Sequence, residues 1–404
     1  MPRTGLCFED IFKPLIILSQ ILGMAPYAIK NDKIIISKIR LIPSIILITI
    51  NVALTVIYFK NLNETFDIDF AKAGTIKFLS MFRDLGGTTL MVVNTAFCYY
   101  QSSRMLAELE KISHVDKELT ELGLGDNIKK ANASIKRSLQ ILLIIVHLVF
   151  ITLGEIASAL VRQHGTLLYL LVNLYPRLMI GGMNITVYIV SMLIEERFKS
   201  INFLFTQKMI ESNQLRKYPT EFDFSENIRH LVSLHKILVK ISKEINSVFS
   251  FQLLLCITMN FILLIGDLYT SMYIIFFGLF TKHCRLVFDM VKHCIGYIFD
   301  LFYVAKRSSD LCEEANRTKV LLLGIKIDVE KEDERNSVIA SALKLMQNKL
   351  EITACKLFNI DNALLFSICG AASSYLFIML QLDIGSNQNP TEAPMGANNT
   401  TLII

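Results

Sequence analysis

Long apolar runs alternate with charged stretches along this chain of 404 residues. Seven of the runs reach the roughly 20 residues that a helix needs to cross a bilayer. They lie at about 41–59, 75–99, 138–161, 166–194, 248–280, 284–305 and 353–383. A further run, 11–29, is interrupted by Gln20 and Pro26. It predicts a helix lying at the membrane interface, with an eighth membrane segment as the alternative. The pattern predicts an all-α membrane protein with seven transmembrane helices.

Lys and Arg in the connecting segments predict the orientation of these helices. With the N-terminus in the cytosol, the inner segments hold 31 of these residues and the outer segments hold 6. Because positive residues are enriched on the cytosolic side, we expect a cytosolic N-terminus and an extracellular C-terminus. Asn63 and Asn398, each in an Asn-x-Thr triplet, then lie outside and are candidate glycosylation sites.

The same pattern divides the chain into five regions. Residues 1–40 form a cytosolic or interfacial N-terminus, and 41–305 hold spans 1–6 with helical cytosolic extensions at 101–137 and 199–247. Apolar positions spaced among charges predict amphipathic helices in 306–352, which we interpret as a cytosolic anchor that contacts other subunits. Residues 353–384 hold the last span, and the polar tail 385–404 is expected to be disordered.

Composition narrows the function classes. Hydrophobic residues make up 52% of the chain and the mean hydropathy is +0.46, which is typical of a polytopic membrane protein. The net charge of +5 comes from scattered basic residues, so no nucleic-acid partner is predicted. The eight cysteines form no Cys-x-x-Cys pair, and His283-Cys284 and His293-Cys294 lack zinc-site spacing, so neither metal nor cofactor is expected. The sequence contains no hydrolase or nucleotide-binding motif, so an enzyme is not expected.

One face of the last span carries small and polar residues on an otherwise apolar helix. At 100° per residue this stripe contains Ser367, Gly370, Ser374, Ile378, Gln381 and Gly385. Two interpretations fit the stripe equally well. Small residues allow close packing of two helices. Alternatively, the stripe is a pore wall, with Ile378 as a hydrophobic constriction and Gln381 as a polar ring.

The last span also carries a motif, Ser374-Tyr375, five hydrophobic residues, then Gln381-Leu382. It resembles the C-terminal signature of insect gustatory receptors, Thr-Tyr, five hydrophobic residues, Gln-Phe. Ser374 and Leu382 are conservative departures from that signature. The stretches 21–27, 235–253 and 357–361 are similar to the same family, as are the length, the span count and the orientation.

The resemblance implies a ligand-gated cation channel, related to insect odorant receptors. Four identical or related subunits would surround one central pore lined by the last span, which favours the pore interpretation of Ser374, Ile378 and Gln381. Each subunit would bind a tastant among spans 1–6, in the plasma membrane of gustatory sensory neurons. The cytosolic segments would join the subunits.

Charged residues inside the spans are the next clue, since each costs about 2.5–3.5 kcal/mol on insertion scales. Arg83 and Asp84 are neighbours, so we expect them to point apart and to find partners elsewhere. The full set of candidate ligand contacts is Arg83, Asp84, Glu155, Asn173, Arg177, Asp267, Tyr269 and Tyr273. These residues line a polar, aromatic cavity or, alternatively, form a salt-bridge network that only fixes packing. Asp289, Lys292 and His293 are spaced to satisfy one another and are interpreted as mainly structural.

Charges and amides favour a polar ligand such as a sugar or polyol, with a bitter compound as the alternative. Two other function classes are the alternatives to a ligand-gated channel. A G-protein-coupled chemoreceptor has the opposite orientation, and this chain lacks Asp-Arg-Tyr at a cytosolic helix end and Asn-Pro-x-x-Tyr in the last span. A membrane transporter favours internal repeats with broken helices, and no such repeat is visible.

Overall fold

The computed structural model describes residues 8–23, 27–30, 33–37, 39, 41–65, 74–142, 149, 151–161, 166–214, 221–325 and 332–388. Within these ranges the chain is almost entirely helical, as the apolar pattern predicts. The helices are α1 Phe8–Leu22, α2 Leu41–Thr65, α3 Gly74–Leu119, α4 Gly125–Leu142, α5 Gly154–Val161, α6 Thr166–Gln214, α7 Glu221–Phe276, α8 Phe280–Leu323, α9 Glu332–Gln347 and α10 Asn362–Gln388. Two short antiparallel hairpins pair β1 Tyr27–Lys30 with β2 Lys33–Ile36, and β3 Thr353–Ala354 with β4 Phe358–Asn359.

Four long helices, α3, α6, α7 and α8, pack against one another and form the centre of the bundle. Four of the described helices are long and apolar enough to cross a membrane: α2, α6, α7 and α10. Helices α3 and α8 are long, but each carries charged residues within its predicted span. The third predicted span, 138–161, includes positions outside the described residues. The total of seven spans and the orientation of the termini therefore stay predictions.

The predicted cytosolic extension 101–137 is not one continuous helix. Helix α3 continues to Leu119, a π-helical turn covers Thr120–Leu124, and α4 follows. Gly123 has a φ of +88°, a backbone conformation that glycine adopts without a Cβ clash. A glycine in a charged helical pattern is the signal of this turn, and the sequence interpretation missed it.

The last span begins later than the sequence predicted. Residues 353–361 form a hairpin and a short connection, and α10 starts only at Asn362. The hairpin turn holds Cys355 and Lys356 at φ values of 49° and 60°, which no helix accommodates. The interfacial helix is likewise shorter than expected, because α1 ends at Leu22 and β1 begins at Tyr27. At the other end α10 runs to Gln388, and residues 389–404 lie outside the described residues.

The main hydrophobic core lies in the extensions beyond the predicted spans. Ile112, Leu119, Phe198, Phe205 and Leu238 are all fully buried there. The core also takes in Leu345 and Leu350 from the predicted anchor region, so much of 306–352 packs within its own chain. Most of the described apolar surface of α10 is instead exposed.

A buried arginine joins three helices in this core. The Arg197 side chain on α6 is 1% exposed. Its Nε and Nη2 atoms donate to the two carboxylate oxygens of Asp116 on α3, at 2.8 and 2.7 Å, and Nη2 also donates to the Asn132 Oδ1 on α4 at 2.7 Å. A bidentate arginine–carboxylate pair fixes both distance and orientation. The Arg197 clamp thereby sets how α4 returns onto α3 and α6.

Replacing Arg197 by methionine is expected to destabilise the chain by about 3–5 kcal/mol, because the partly buried Asp116 loses its counter-charge. Thermal unfolding of the purified, detergent-solubilised protein measures the effect. Arg317→Met is the matched control, since Arg317 is mostly exposed and its nearest carboxylate, on Glu314, lies 3.8 Å away. Equal loss of stability in the two variants would show that the clamp contributes nothing specific.

His235 on α7 is buried against Phe198, and its Nε2 lies 2.9 Å from the Ala315 carbonyl oxygen on α8. The Nε2–H tautomer donates this hydrogen bond. The Nδ1 atom is buried and has no hydrogen-bond partner among the described residues. Burial lowers the pKa of the imidazole below its ordinary value of about 6.5. Folding therefore favours neutral His235.

A depressed folded-state pKa contributes stability that is present above the unfolded-state value and lost as pH falls below it. We expect the melting temperature of the purified protein to fall as the pH is lowered from 7.5 to 5.5. His235→Gln keeps a donor for the Ala315 carbonyl but does not titrate, so the decrease should be smaller in that variant. An identical pH dependence in both proteins would exclude His235 as its source.

Candidate functional site

A cavity of about 220 Å³ lies between α3, α5, α6, α7 and α8. Five of the eight predicted ligand contacts line it: Arg83, Asp84, Glu155, Asn173 and Arg177. Helix α8 adds Lys292, His293, Tyr297, Asp300 and Tyr303, and the amides of Asn184 and Asn260 complete the polar part of the lining. Charged, amide and aromatic groups from distant parts of the sequence therefore converge on one cavity.

The expectation that Arg83 and Asp84 point apart is wrong. Its Nε lies 3.3 Å from the Asp84 Oδ1, and its Nη1 lies 3.4 Å from the Asp267 Oδ1 on α7. The long guanidinium side chain bends back along α3, which spacing on a helical wheel does not capture. The Asp84 and Asp267 carboxylates are both buried, so the Arg83 guanidinium links α3 to α7 inside the bundle.

The half-buried Arg177 and the buried Glu155 form the second ion pair, with Nε and Oε1 2.9 Å apart. Arg177 also donates through Nη2 to the Tyr297 hydroxyl at 3.2 Å, and its guanidinium carbon lies 5.7 Å from the centre of the same ring. His293 bridges the two pairs: its Nε2 lies 3.5 Å from the Glu155 Oε1, and its Nδ1 lies 3.8 Å from the Asp267 Oδ2. The predicted salt-bridge network and the predicted cavity thus both exist, and the network forms part of the cavity wall.

Asp289 and Lys292 pair locally, as their spacing predicts, with Nζ and Oδ1 3.0 Å apart. Lys292 also donates to the Gly154 carbonyl oxygen at 2.8 Å, and Ser158 donates to Asp289. These bonds attach α8 to α5. His293, by contrast, belongs to the charged network of the cavity and is more than a local structural residue.

Three predicted ligand contacts are absent from the cavity lining. Asp267 lies behind Arg83, where it supports the guanidinium. Tyr269 is buried with its ring centre 6.2 Å from that of Tyr273, and Tyr273 in turn packs on Phe277. A role of these three residues in ligand contact stays a prediction.

Several lining residues were missed by the sequence interpretation. Asn184 and Asn260 are single amides in apolar helices, which is a sequence signal because an amide in a membrane needs a partner. Asp300 was not among the predicted ligand contacts either. Asn63 lies in the last turn of α2, and Asn398 lies outside the described residues. Glycosylation at both positions stays a prediction.

A second, smaller cavity of about 70 Å³ lies between α1, the first hairpin, α3, α6 and α7. Apolar side chains such as Ile16, Met105 and Phe249 dominate its lining, and none of the lining residues is charged. The two cavities therefore differ in the chemistry that they offer a ligand.

Helix α10 packs on α7 and α8 through one face, which buries Ile368 and Ala372. The predicted stripe lies away from this face, and Ser374, Ile378 and Gln381 are all exposed. Ser374 donates to the Gly370 carbonyl oxygen at 3.0 Å. Within the described part of the chain, Gln381 has no hydrogen-bond partner.

The other two motif residues, Tyr375 and Leu382, are also exposed. The Tyr375 ring centre lies 6.4 Å from that of Phe261 on α7. The motif therefore contacts the rest of its own chain through the tyrosine ring, at the edge of the packed face.

The base of α10 is attached to the long helices by hydrogen bonds to main-chain atoms. Asn316 on α8 donates to the Leu350 carbonyl oxygen at 3.0 Å and accepts from the Leu350 N–H at 3.1 Å. Ser250 on α7 donates to the Thr353 carbonyl oxygen at 3.1 Å, and Ser309 on α8 accepts from the Asn362 N–H at 3.0 Å. The helices that border the cavity thus hold the start of α10.

Comparison with known proteins agrees with this geometry. The sequence profile of a family described as 7tm chemosensory receptor matches residues 12–386. Gustatory receptor 28b of Drosophila melanogaster is 25% identical over 174 residues, which are 41% of this chain and 36% of that protein. The gustatory receptor for bitter taste 66a of the same species is 24% identical over 171 residues, which are 40% of this chain and 32% of that protein. The aligned part spans about a third of the length of these relatives.

The fold is similar to that of the insect olfactory receptor OR5 from Machilis hrabei, with a TM-score of 0.61 and 14% sequence identity. The match covers 92% of this chain and 97% of that chain. The structure of OR5 in complex with eugenol gives a TM-score of 0.63 at 15% identity, with 93% and 98% covered. These matches, together with the profile over most of the sequence, confirm the resemblance seen in the motif of the last span: the chain belongs to the 7tm chemosensory receptor family.

Proposed function

We propose that this chain is a subunit of a tastant-gated, non-selective cation channel in the plasma membrane of gustatory sensory neurons. The exposed stripe of α10 is the observation that carries the proposal. Lipid offers the Gln381 amide no hydrogen bond, so a membrane helix with this face exposed needs water or another polar partner beside it. A water-filled pore supplies that partner.

Two exposed faces of α10 differ in character. The stripe with Ser374 and Gln381 suits water, while Phe366 and Phe377 form an apolar flank about a quarter turn away. Four copies with their stripes inward would make Ile378 a hydrophobic constriction and Gln381 a ring of amides. The described side chains of the stripe include no acid, which supports weak selection among permeant cations.

The anchor region 306–352 also exposes apolar side chains that suit contact with other subunits. Ile339, Leu343 and Met346 on α9 are 41–53% exposed and follow the i, i+4, i+7 spacing of one helix face. A row of exposed apolar residues is typical of an interaction surface. We infer that this face contacts a second subunit, in a homotetramer or in a heterotetramer with related receptors.

We assign the tastant to the 220 Å³ cavity. It combines a few convergent polar groups with aromatic walls, which is typical of small-molecule sites. The sequence expectation of a sugar or polyol and the alternative of a bitter compound both concern this cavity. The related protein 66a is named for bitter taste, which supports a bitter compound as the alternative ligand.

Helix α8 supports a physical route from ligand to pore. Beyond a kink at His283 it runs to Leu323, borders the cavity through His293 and Asp300, and holds the base of α10 through Ser309 and Asn316. A ligand that prefers one position of α8 would bias the position of α10 by the same free energy. Gating then requires no separate element between the cavity and the pore.

Cysteine accessibility tests the pore assignment, and two neighbouring serines provide a matched pair. Ser373 and Ser374 are both exposed and both donate to the carbonyl oxygen four residues earlier, yet they point about 100° apart. In a Cys284→Ala/Cys369→Ala background, a positively charged methanethiosulfonate reagent should reduce the ligand-evoked current of Ser374→Cys by at least about half. It should leave Ser373→Cys nearly unchanged, because a positive charge fixed at the pore wall repels permeant cations.

The experiment has a clear contrary result. If Ser373→Cys is modified and Ser374→Cys is not, the stripe does not face water. Gln381→Ala provides an independent measurement, since it should change ion selectivity or conductance at unchanged surface expression.

A pair of buried asparagines tests the ligand cavity. The Oδ1 atoms of Asn184 and Asn94 are both buried without a hydrogen-bond partner among the described residues, but only Asn184 lines the cavity. Asn184→Leu should change the half-maximal ligand concentration by about tenfold, the size of one lost hydrogen bond of about 1.4 kcal/mol. Asn94→Leu should leave it nearly unchanged. Dose–response curves of calcium influx measure both, and equal effects would exclude a direct role for Asn184.

A further inference from the structure

We propose that the ligand of the 220 Å³ cavity is an organic cation, a protonated amine whose ammonium group pairs with Asp300. The inference rests on the proposed assignment of the cavity as the ligand site, and it names the chemical class of the ligand. Three independent features of the cavity point to this class.

The first feature is an excess of negative charge. In the described part of the chain, the cavity lining and the side chains that contact it hold five carboxylates and three permanent cations. The carboxylates belong to Asp84, Glu155, Asp267, Asp289 and Asp300, and the cations to Arg83, Arg177 and Lys292. His293 adds at most one positive charge, so at least one of these carboxyl groups has no cationic partner among the described residues. Removing a charge from water without a counter-charge is costly, and a cationic ligand supplies the missing charge.

The second feature identifies which carboxylate is uncompensated. Arg83 contacts Asp84 and Asp267, Arg177 contacts Glu155, and Lys292 contacts Asp289. Asp300 lines the cavity and is half-buried. Among the described residues no ion pair in direct contact and no hydrogen bond reaches it, and Arg177, which pairs with Glu155, acts on it only at longer range. It lies seven residues after His293 on α8, so about 10 Å farther along the helix toward its C-terminus.

The third feature is an unmet need for hydrogen-bond donors. Among the described residues, the Asp84 Oδ2, the Glu155 Oε2 and the Asn184 Oδ1 are buried without a donor, and all three residues line the cavity. Asn184 is only 8% exposed. Buried acceptors without donors cost about 1–3 kcal/mol each, and an ammonium group brings up to three N–H donors for those acceptors that lie within its reach.

Aromatic rings beside Asp300 complete a site for an amine with an apolar body. Phe299 and Tyr303 line the cavity on the same helix, with ring centres 5.4 Å apart, and Tyr303 stacks on Tyr188 at 4.4 Å. Aromatic faces attract cations and also pack against apolar groups. A neutral sugar could satisfy the acceptors but would leave the Asp300 charge unpaired, and an anion would add to the excess.

Two compounds of nearly the same shape test the charge of the ligand. 2-Phenylethylamine is protonated at neutral pH, whereas 2-phenylethanol is neutral and still carries a donor. Thermal stability of the full-length purified receptor is measured with each compound and with sucrose. We expect the amine alone to raise the melting temperature of the wild type. Its apparent affinity should fall at least tenfold in Asp300→Asn and largely return in Asp300→Glu.

Asp310→Asn is the matched control, because Asp310 lies on the same helix outside the cavity lining and pairs with Lys306 at 2.8 Å. It should bind the amine as the wild type does. The inference is overturned if the amine does not stabilise the wild type, if 2-phenylethanol or sucrose stabilises it equally, or if Asp300→Asn binds the amine undiminished.

Whole-cell current recorded with the same compounds separates this inference from the proposed function. Amine binding that depends on Asp300 but opens no conductance would support the ligand class and contradict the channel. Current evoked by sucrose or 2-phenylethanol, with no effect of the amine, would support the channel and overturn the ligand class.

Discussion

Charges buried between helices need counter-charges, and this constraint determines how the bundle is assembled. In the core beyond the predicted spans, the Arg197 guanidinium is paired with Asp116 and hydrogen-bonded to Asn132, which lie on two other helices. In the bundle, Arg83 and Arg177 are each paired with a carboxylate on a different helix. Apolar packing alone does not select one rotation of a helix against its neighbours in lipid. The ion pairs select one rotation, because any other rotation leaves a charge buried without a partner.

The same constraint explains why the ion pairs that fix the packing also line the proposed ligand cavity. A wall that consists of paired charges is rigid, and it holds its amides and aromatic rings in fixed positions around the cavity. The long helices then connect this rigid region with the base of α10. Among the described residues, α10 packs on α7 and α8 through one face, and its stripe is exposed on another.

Much of this arrangement could be predicted from the sequence. The helical class, most helix positions, the motif of the last span and five of the lining residues follow from apolar runs and from charges that are unusual in a membrane. The Arg83–Asp84 contact could not be predicted, because it depends on a side-chain conformation. The separation of Tyr269 and Tyr273 from the cavity could not be predicted either, because depth along a helix does not fix rotation around it. The turn at Gly123 and the hairpin before Asn362 had local signals, glycine in a helical pattern and a short polar stretch, that periodicity alone overlooks.

The attachment of the α10 base has an evolutionary consequence. Asn316 and Ser250 bind main-chain atoms of Leu350 and Thr353. Main-chain donors and acceptors persist whatever side chain stands at those positions, provided that it is not proline. The side chains from Leu350 to Thr353 can therefore differ between duplicated genes, while the hydrogen bonds that attach this segment to α7 and α8 are kept. A receptor repertoire built on this scaffold could diversify its ligands without having to rebuild the link to the last helix.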